Sequence, residues 1–228
     1  MINYLVINLL IIIFPLLFSF EKRIRYYTHF RSLFPAIFMV GTYYIIWDAV
    51  ATARGDWGFN HEYVMDFNFA GLPLEEVLFF VTAPYSCIFI YEALLLSLRD
   101  RELTVNPKLF IIPAVILAAG GVLFLHQNYT SAVLFSCALF FIMAIFILPS
   151  MLKSRAYWLY IIIVFIPFFV MNYLLTSIPI VLYNSDAIWK ARVTTIPLED
   201  FFYNFGMLSF YLMIYLSFKK RVENGSRT

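Results

Sequence analysis

The sequence predicts an all-α, polytopic membrane protein: seven transmembrane helices, arranged as two parallel three-helix repeats joined by a linking helix. Three observations carry this. The chain is 63% hydrophobic and 13% charged, with mean hydropathy +0.83, whereas soluble domains are about 45–50% apolar and about 25% charged. Its apolar runs approach the roughly 20 residues a spanning helix needs. And a Pro-Leu-acid-acid motif, Pro73-Leu74-Glu75-Glu76, returns as Pro197-Leu198-Glu199-Asp200.

The spans are read at 2–20, 33–51, 73–97, 109–125, 130–150, 156–178 and 198–218, the fourth being the shortest. No Lys or Arg precedes the first run and a basic cluster follows it, so it reads as a span and not as a cleaved signal peptide. Basic residues mark the cytoplasmic loops. Lys22, Arg23, Arg25, Arg31, Arg99, Arg101, Lys108, Lys153, Arg155, Lys219, Lys220, Arg221 and Arg227 fall on one side; only Arg54, Lys190 and Arg192 fall on the other. The N-terminus is therefore expected outside and the C-terminus inside, with both acidic motifs toward the outer face. A bacterial inner membrane fits the size and the short loops. The net charge of +2 reflects topology and implies no nucleic-acid partner. Cys87 and Cys137 lie inside spans, and no Cys/His spacing resembles a metal site.

Taken in order, the first span is plain apolar packing with Pro15 in its second half. The second ends in Trp47-Asp48, and an acid inside a span faces the bundle interior by default. The loop 54–72 is long, polar and aromatic. It reads as a solvated loop or a lid, with Trp57 as an interface anchor. Its His61-Glu62 lacks the second His of a metalloprotease helix, because Met65 stands there. The third span opens at Pro73, where a missing N–H costs nothing. Glu75 and Glu76 then sit against the positive end of the helix dipole. Helix-start electrostatics explains one such motif; it fits two near-identical ones less well. Phe79, Phe80, Tyr85, Phe89 and Tyr91 make this helix strongly aromatic, and Glu92 lies deeper, to snorkel, pair with Arg99 or line a cavity. Gly120-Gly121 in the fourth span permits close helix contact. Asn172 in the sixth has the polarity to hydrogen-bond another helix. The seventh span continues from Asp200 into Phe201, Phe202, Tyr203, Asn204 and Phe205, and a polar tail after Phe218 reads as disordered.

An offset of 124 residues superposes Pro73 on Pro197, Glu75 on Glu199, Glu76 on Asp200, Phe79 on Tyr203 and, in a different helix, Asp48 on Asn172. The organisation expected is a first repeat over 1–105, a linking helix over 106–128 and a second repeat over 129–228. The intervening helix gives both repeats one orientation, related by an axis along the membrane normal. The acid pairs then face one cavity.

Crowded carboxyls in a low-dielectric site suit acid–base work, one of them held protonated. Aromatic faces stabilise cations by roughly 0.5–2 kcal/mol each. Such a cavity could carry an apolar polyene through a carbocation rearrangement. The candidate catalytic residues are Glu75, Glu76, Glu199 and Asp200. Asp48, Asn172, Glu92, Phe79, Phe80, Tyr203 and Asn204 are candidates for the cavity around them.

The stretches LPLEEVLFF from Leu72 and IPLEDFFYNF from Ile196, with Trp47-Asp48, resemble the heterodimer-type lycopene cyclases, in the form with both subunits fused. The resemblance covers nearly the whole chain. It implies non-redox cyclisation of the ψ-ends of lycopene to β-rings, giving γ-carotene and β-carotene in carotenoid biosynthesis. It implies a carotenoid substrate, lipid surroundings, contact with other enzymes of the pathway, and no cofactor. The residues agree as regards a nucleotide-derived cofactor, since the eight glycines form no G-x-G-x-x-G and the flavin-binding type of lycopene cyclase is not expected. Three other readings compete with this one. A retinal pigment needs a Lys in the last span, and 198–218 has none up to Phe218. A three-plus-one-plus-three transporter of a small solute fits parallel repeats, but a solute path needs polar groups in both halves. A carotenoid-binding scaffold would hold lycopene without turnover.

Overall fold

The computed structural model describes residues 3–98 and 101–225. The suggested partner of Glu92, Arg99, and the topology charge Arg227 lie outside the described residues. The chain is mostly helical: α1 (Tyr4–Phe18), α2 (Phe30–Arg54), α3 (Leu74–Ser97), α4 (Ile111–Leu123), α5 (Asn128–Ile147), a short α6 (Pro149–Lys153), α7 (Arg155–Ser177) and α8 (Leu198–Gly225). Five helical stretches are long and apolar enough to cross a membrane: Tyr26–Arg54, Leu74–Ser97, Asn128–Ile147, Arg155–Ser177 and Leu198–Gly225. The protein is an integral membrane protein. Two further apolar helices, Tyr4–Phe18 and Pro107–Leu123, are shorter. At 1.5 Å per residue the fifteen of α1 reach about 22 Å, less than the roughly 30 Å of a hydrocarbon core.

Two helix-interior prolines show how side chains of neighbouring helices repair the backbone. A proline leaves the carbonyl four residues earlier without its helical donor. Pro15 frees the carbonyl of Ile11, and Ser86 Oγ of α3 donates to it at 2.9 Å. Pro84 frees the carbonyl of Phe80, and the Tyr211 hydroxyl of α8 donates to it at 2.9 Å. Without water, a freed carbonyl finds its partner within the protein.

α8 runs seven residues beyond the expected end at Phe218. Lys219 reaches back to both oxygens of the buried Glu92 at 2.7 and 2.8 Å. That ion pair holds the polar extension as helix where composition alone suggested disorder.

The N-termini of α1, α3, α5 and α8 and the C-termini of α2 and α7 meet at one end of the bundle. Two loops close it, built alike. β1 (Trp57–Phe59) of the first pairs antiparallel with β4 (Val181–Tyr183) of the second. Around this pair Asn60 N donates to Ile180 O, and Asn184 N to Asp56 O, both at 2.9 Å. Each loop then makes a tight hairpin before its Pro-Leu-acid-acid motif: β2 (Asn68–Phe69) with β3 (Leu72–Pro73), and β5 (Arg192–Val193) with β6 (Ile196–Pro197). Both hairpin tips take left-handed backbone, at Ala70 (φ 52°) and Thr194 (φ 58°). The first loop is thus tied down at Trp57–Phe59 and at its hairpin, while most of 61–71 is exposed as a solvated loop would be. Trp57 is buried against the Tyr129 ring, centroids 4.8 Å apart, instead of standing at an interface.

Candidate active site

Beneath the paired loops lies a cavity of about 390 Å³ between α1, α3, α7 and α8. Its walls are apolar toward the middle of the bundle. Its polar groups gather at the loop end: Asp48, Glu76 and Asp200, with Tyr4, Trp57, Tyr129, Asn172 and Tyr183.

Glu76 points into the cavity from the first turn of α3. Its Oε2 accepts from the Tyr4 hydroxyl at 2.7 Å. Asp48, in the last two turns of α2, is buried and lines the same cavity. Asp48 Oδ1 accepts from Trp57 Nε1 at 2.7 Å. Its Oδ2 is buried with no hydrogen-bond partner among the described residues. Two carboxyls buried in one low-dielectric cavity disfavour both being ionised, which favours one proton held between them.

Asp200 occupies the matching place on α8, in different company. Its Oδ1 accepts from the Tyr129 hydroxyl at 2.7 Å. Its Oδ2 accepts from Asn172 Nδ2 at 2.8 Å and from the Tyr183 hydroxyl at 2.9 Å. Burial first, and then the Asp200 carboxylate, push the Tyr183 hydroxyl well above the usual tyrosine range, so it remains a donor at neutral pH. Three donors on one carboxyl suit a group that carries negative charge.

The other acid of each pair turns away from the cavity. Glu75 Oε1 accepts from the backbone N–H of Met65 at 2.8 Å. Glu199 Oε1 accepts from Trp189 N and from Thr130 Oγ1, both at 2.6 Å. Each is fully buried and ties its loop to its helix, and neither is among the cavity's lining residues. One oxygen of each has no partner among the described residues.

Phe79, Tyr203 and Asn204 line the cavity. Asn204 presents a buried amide nitrogen with no partner among the described residues. Phe80 does not line the cavity; it is buried with its ring stacked on Tyr44. Glu92 lies at the far end of α3, bound by Lys219, by the Tyr215 hydroxyl at 2.7 Å and beside His29 at 3.4 Å. The tyrosines that hold Glu76 and Asp200 escaped the sequence reading, although Asn3-Tyr4 and Asn128-Tyr129 repeat as a dipeptide at the starts of their helices. No group of three or more His, Cys, Asp or Glu that could hold a metal occurs among the described residues.

A family model described as lycopene cyclase matches residues 2–94 and, again, residues 126–218. Neither a curated protein nor a solved structure matches the chain. The transporter reading of the sequence finds no support in these comparisons.

Proposed function

The chain belongs to the lycopene cyclase family, and we propose that Glu76 with Asp48, and Asp200 across the cavity from them, carry its acid–base chemistry. The enzyme cyclises lycopene, an intramolecular lyase- or isomerase-type reaction within carotenoid biosynthesis. One observation carries the assignment of roles. Glu76 has a second acid, Asp48, at its side, whereas Asp200 has an amide, Asn172, in the corresponding place. An acid pair holding one proton is a donor; a carboxyl fed by three donors is an acceptor.

The reaction then runs as follows. The shared proton of the Asp48–Glu76 pair leaves oxygen and bonds to the terminal double bond of the ψ-end. The cation that results is attacked by the π-electrons of a neighbouring double bond, closing a six-membered ring. Asp200 takes the proton from the ring carbon next to the new cationic centre, leaving the β-ring double bond. Proton gain and loss balance, and the proton returns from Asp200 to the Asp48–Glu76 pair before the next turnover. Phe79, Tyr203 and Trp57 surround the path with aromatic faces suited to a passing cation. Glu75 and Glu199 hold the loops that aim these groups; they position and do not touch substrate.

The same reading extends to the wider molecule. The spans number seven, with α1 and α4 crossing at reduced length, in two parallel repeats over 1–105 and 129–228 joined by 106–128. The fused heterodimer-type architecture, the outward-facing acid motifs and a bacterial inner membrane follow from the doubled motif and the distribution of Lys and Arg. The recurrence of loop hydrogen bonds and of the family match at one offset supports the repeats.

The test is expression in a colourless host that accumulates lycopene, with pigments separated by chromatography. Wild type is expected to yield cyclised carotenoid. Glu76→Gln and Asp200→Asn should each lower turnover by about 10²–10⁴-fold, the usual weight of general acid–base catalysis. Full conversion by either variant would sink the assignment.

A further inference from the structure

We infer that the cavity takes its polyene sideways from the bilayer, through a mouth between α1 and α7 framed by Leu10 and Phe14, while the rest of the chain stays in lipid. This rests on the lycopene cyclase reading and deepens it.

The loop end of the cavity is shut. The β1–β4 pair lies over it, and Tyr4 and Ile7 of α1 pack with Leu175 and Ile180 in one buried cluster beside it. Further along α1 that contact gives out. Leu10 and Phe14 both line the cavity, yet they are 47% and 66% exposed. Residues that face the interior and the outside together mark an opening. The surface around it is not wet: Leu9, Ile13 and Leu17 stand exposed on the same helix. An opening ringed by exposed aliphatic side chains in a membrane protein gives on to acyl chains.

Size demands such an opening. Pockets of about 300–1,000 Å³ enclose drug-sized ligands, and this one, near 390 Å³, has room for an end group and part of a C40 polyene. The remainder must lie outside, and only a lateral opening leaves it in an apolar medium.

The counterpart of this mouth is plugged. A groove of about 310 Å³ runs between α2 and α5, lined by Tyr43, Trp47, Phe135, Ser136 and Leu139 among others. With the alignment of Tyr4 on Tyr129, Phe135, Ser136 and Leu139 stand where Leu10, Ile11 and Phe14 stand on α1. Tyr43 and Trp47 stand where Pro167 and Met171 stand on α7. Behind this groove the Trp47 and Tyr203 rings pack at 5.2 Å, and Tyr44 and Tyr203 at 5.4 Å. No carboxylate is among the described residues that line it. The seam between the repeats therefore opens to the acids on the α1–α7 side and not on the α2–α5 side.

The experiment uses the full chain in lipid vesicles containing radiolabelled lycopene. A photoreactive benzoylphenylalanine replaces Phe14 or, as control, Ile13, in the inactive Glu76→Gln background that leaves substrate unconverted. Label is expected on the protein probed at 14 in clear excess over that probed at 13, and unlabelled lycopene should compete it away. Equal label at both, or label at 14 that lycopene does not compete, means that the opening holds lipid and overturns the mouth. In the active enzyme, Leu10→Trp and Phe14→Trp should raise KM for lycopene by about tenfold, the scale of a pocket steric change, with kcat kept and Ile13→Trp silent. A fall in kcat with KM unchanged also overturns it. A wild-type enzyme that leaves lycopene unconverted in these vesicles removes the cyclase reading itself, which separates that failure from failure of the mouth.

Discussion

Asp48 and Asn172 occupy like places on α2 and α7, yet one sets an acid beside Glu76 and the other an amide beside Asp200. Asn172→Asp replaces a donor to Asp200 by a second carboxyl, and the acceptor role proposed for Asp200 should fail. We expect turnover to drop by about 10²-fold or more with the protein still folded, measured as cyclised pigment per unit of membrane protein. Tyr183→Phe removes one of the three donors. A hydrogen bond to a charged group contributes about 1.5–3 kcal/mol, so turnover should fall by roughly ten- to a hundredfold; an unchanged rate would mean that Asp200 does not depend on its donors. The four acids of the two motifs were legible as a set in the sequence. Which of each pair faces the cavity was not. That is settled by the hairpins at Asn68–Pro73 and Arg192–Pro197, which bring the Met65 and Trp189 amides onto Glu75 and Glu199. Helix periodicity cannot separate adjacent residues that both lie in a first turn.

At the scale of the element, α4 shows how small residues let helices meet. A Cβ at Gly121 would stand 3.0 Å from the Phe135 ring of α5, and the Gly121 carbonyl accepts from Ser131 Oγ at 2.9 Å. Gly121→Ala therefore forces Phe135 aside. Overpacking of this kind costs about 1–3 kcal/mol, and Tm in detergent should fall while the cyclised product stays the same. The Gly-Gly pair signalled this contact in the sequence. The last turns of α8 gave no such signal, because the residue that holds Lys219 is Glu92, on α3. Lys219→Ala leaves Glu92 buried against Tyr215 and His29 alone. Removing one partner of a buried pair costs about 3–5 kcal/mol, read as lost thermal stability and as proteolysis beyond Phe218. A stability equal to wild type would show that the pair contributes nothing.

For the molecule as a whole, sequence offset and chemistry part company. The paired loops, the acid pairs and the tyrosines at the starts of α1 and α5 recur in both halves; the acid pairs were readable at an offset of 124 residues, whereas the tyrosines, offset by 125, were not. The difference between the two sides of the seam was not readable, because it depends on ring packing: Trp47, Tyr44 and Tyr203 pack behind the groove between α2 and α5, while its counterpart opens to the acids. With one such cavity among the described residues, the molecule holds one end of a linear C40 chain at a time. To close both ends it must release a singly cyclised carotenoid into the bilayer and take it back by the other end. Monocyclic product should therefore appear before bicyclic product and exchange with an added, differently labelled monocyclic pool. Its share of product should rise with lycopene concentration, as substrate competes for the same cavity. Bicyclic product formed from the first turnover without dilution by the added pool would mean that both ends react in one visit, and that the groove between α2 and α5 takes part after all.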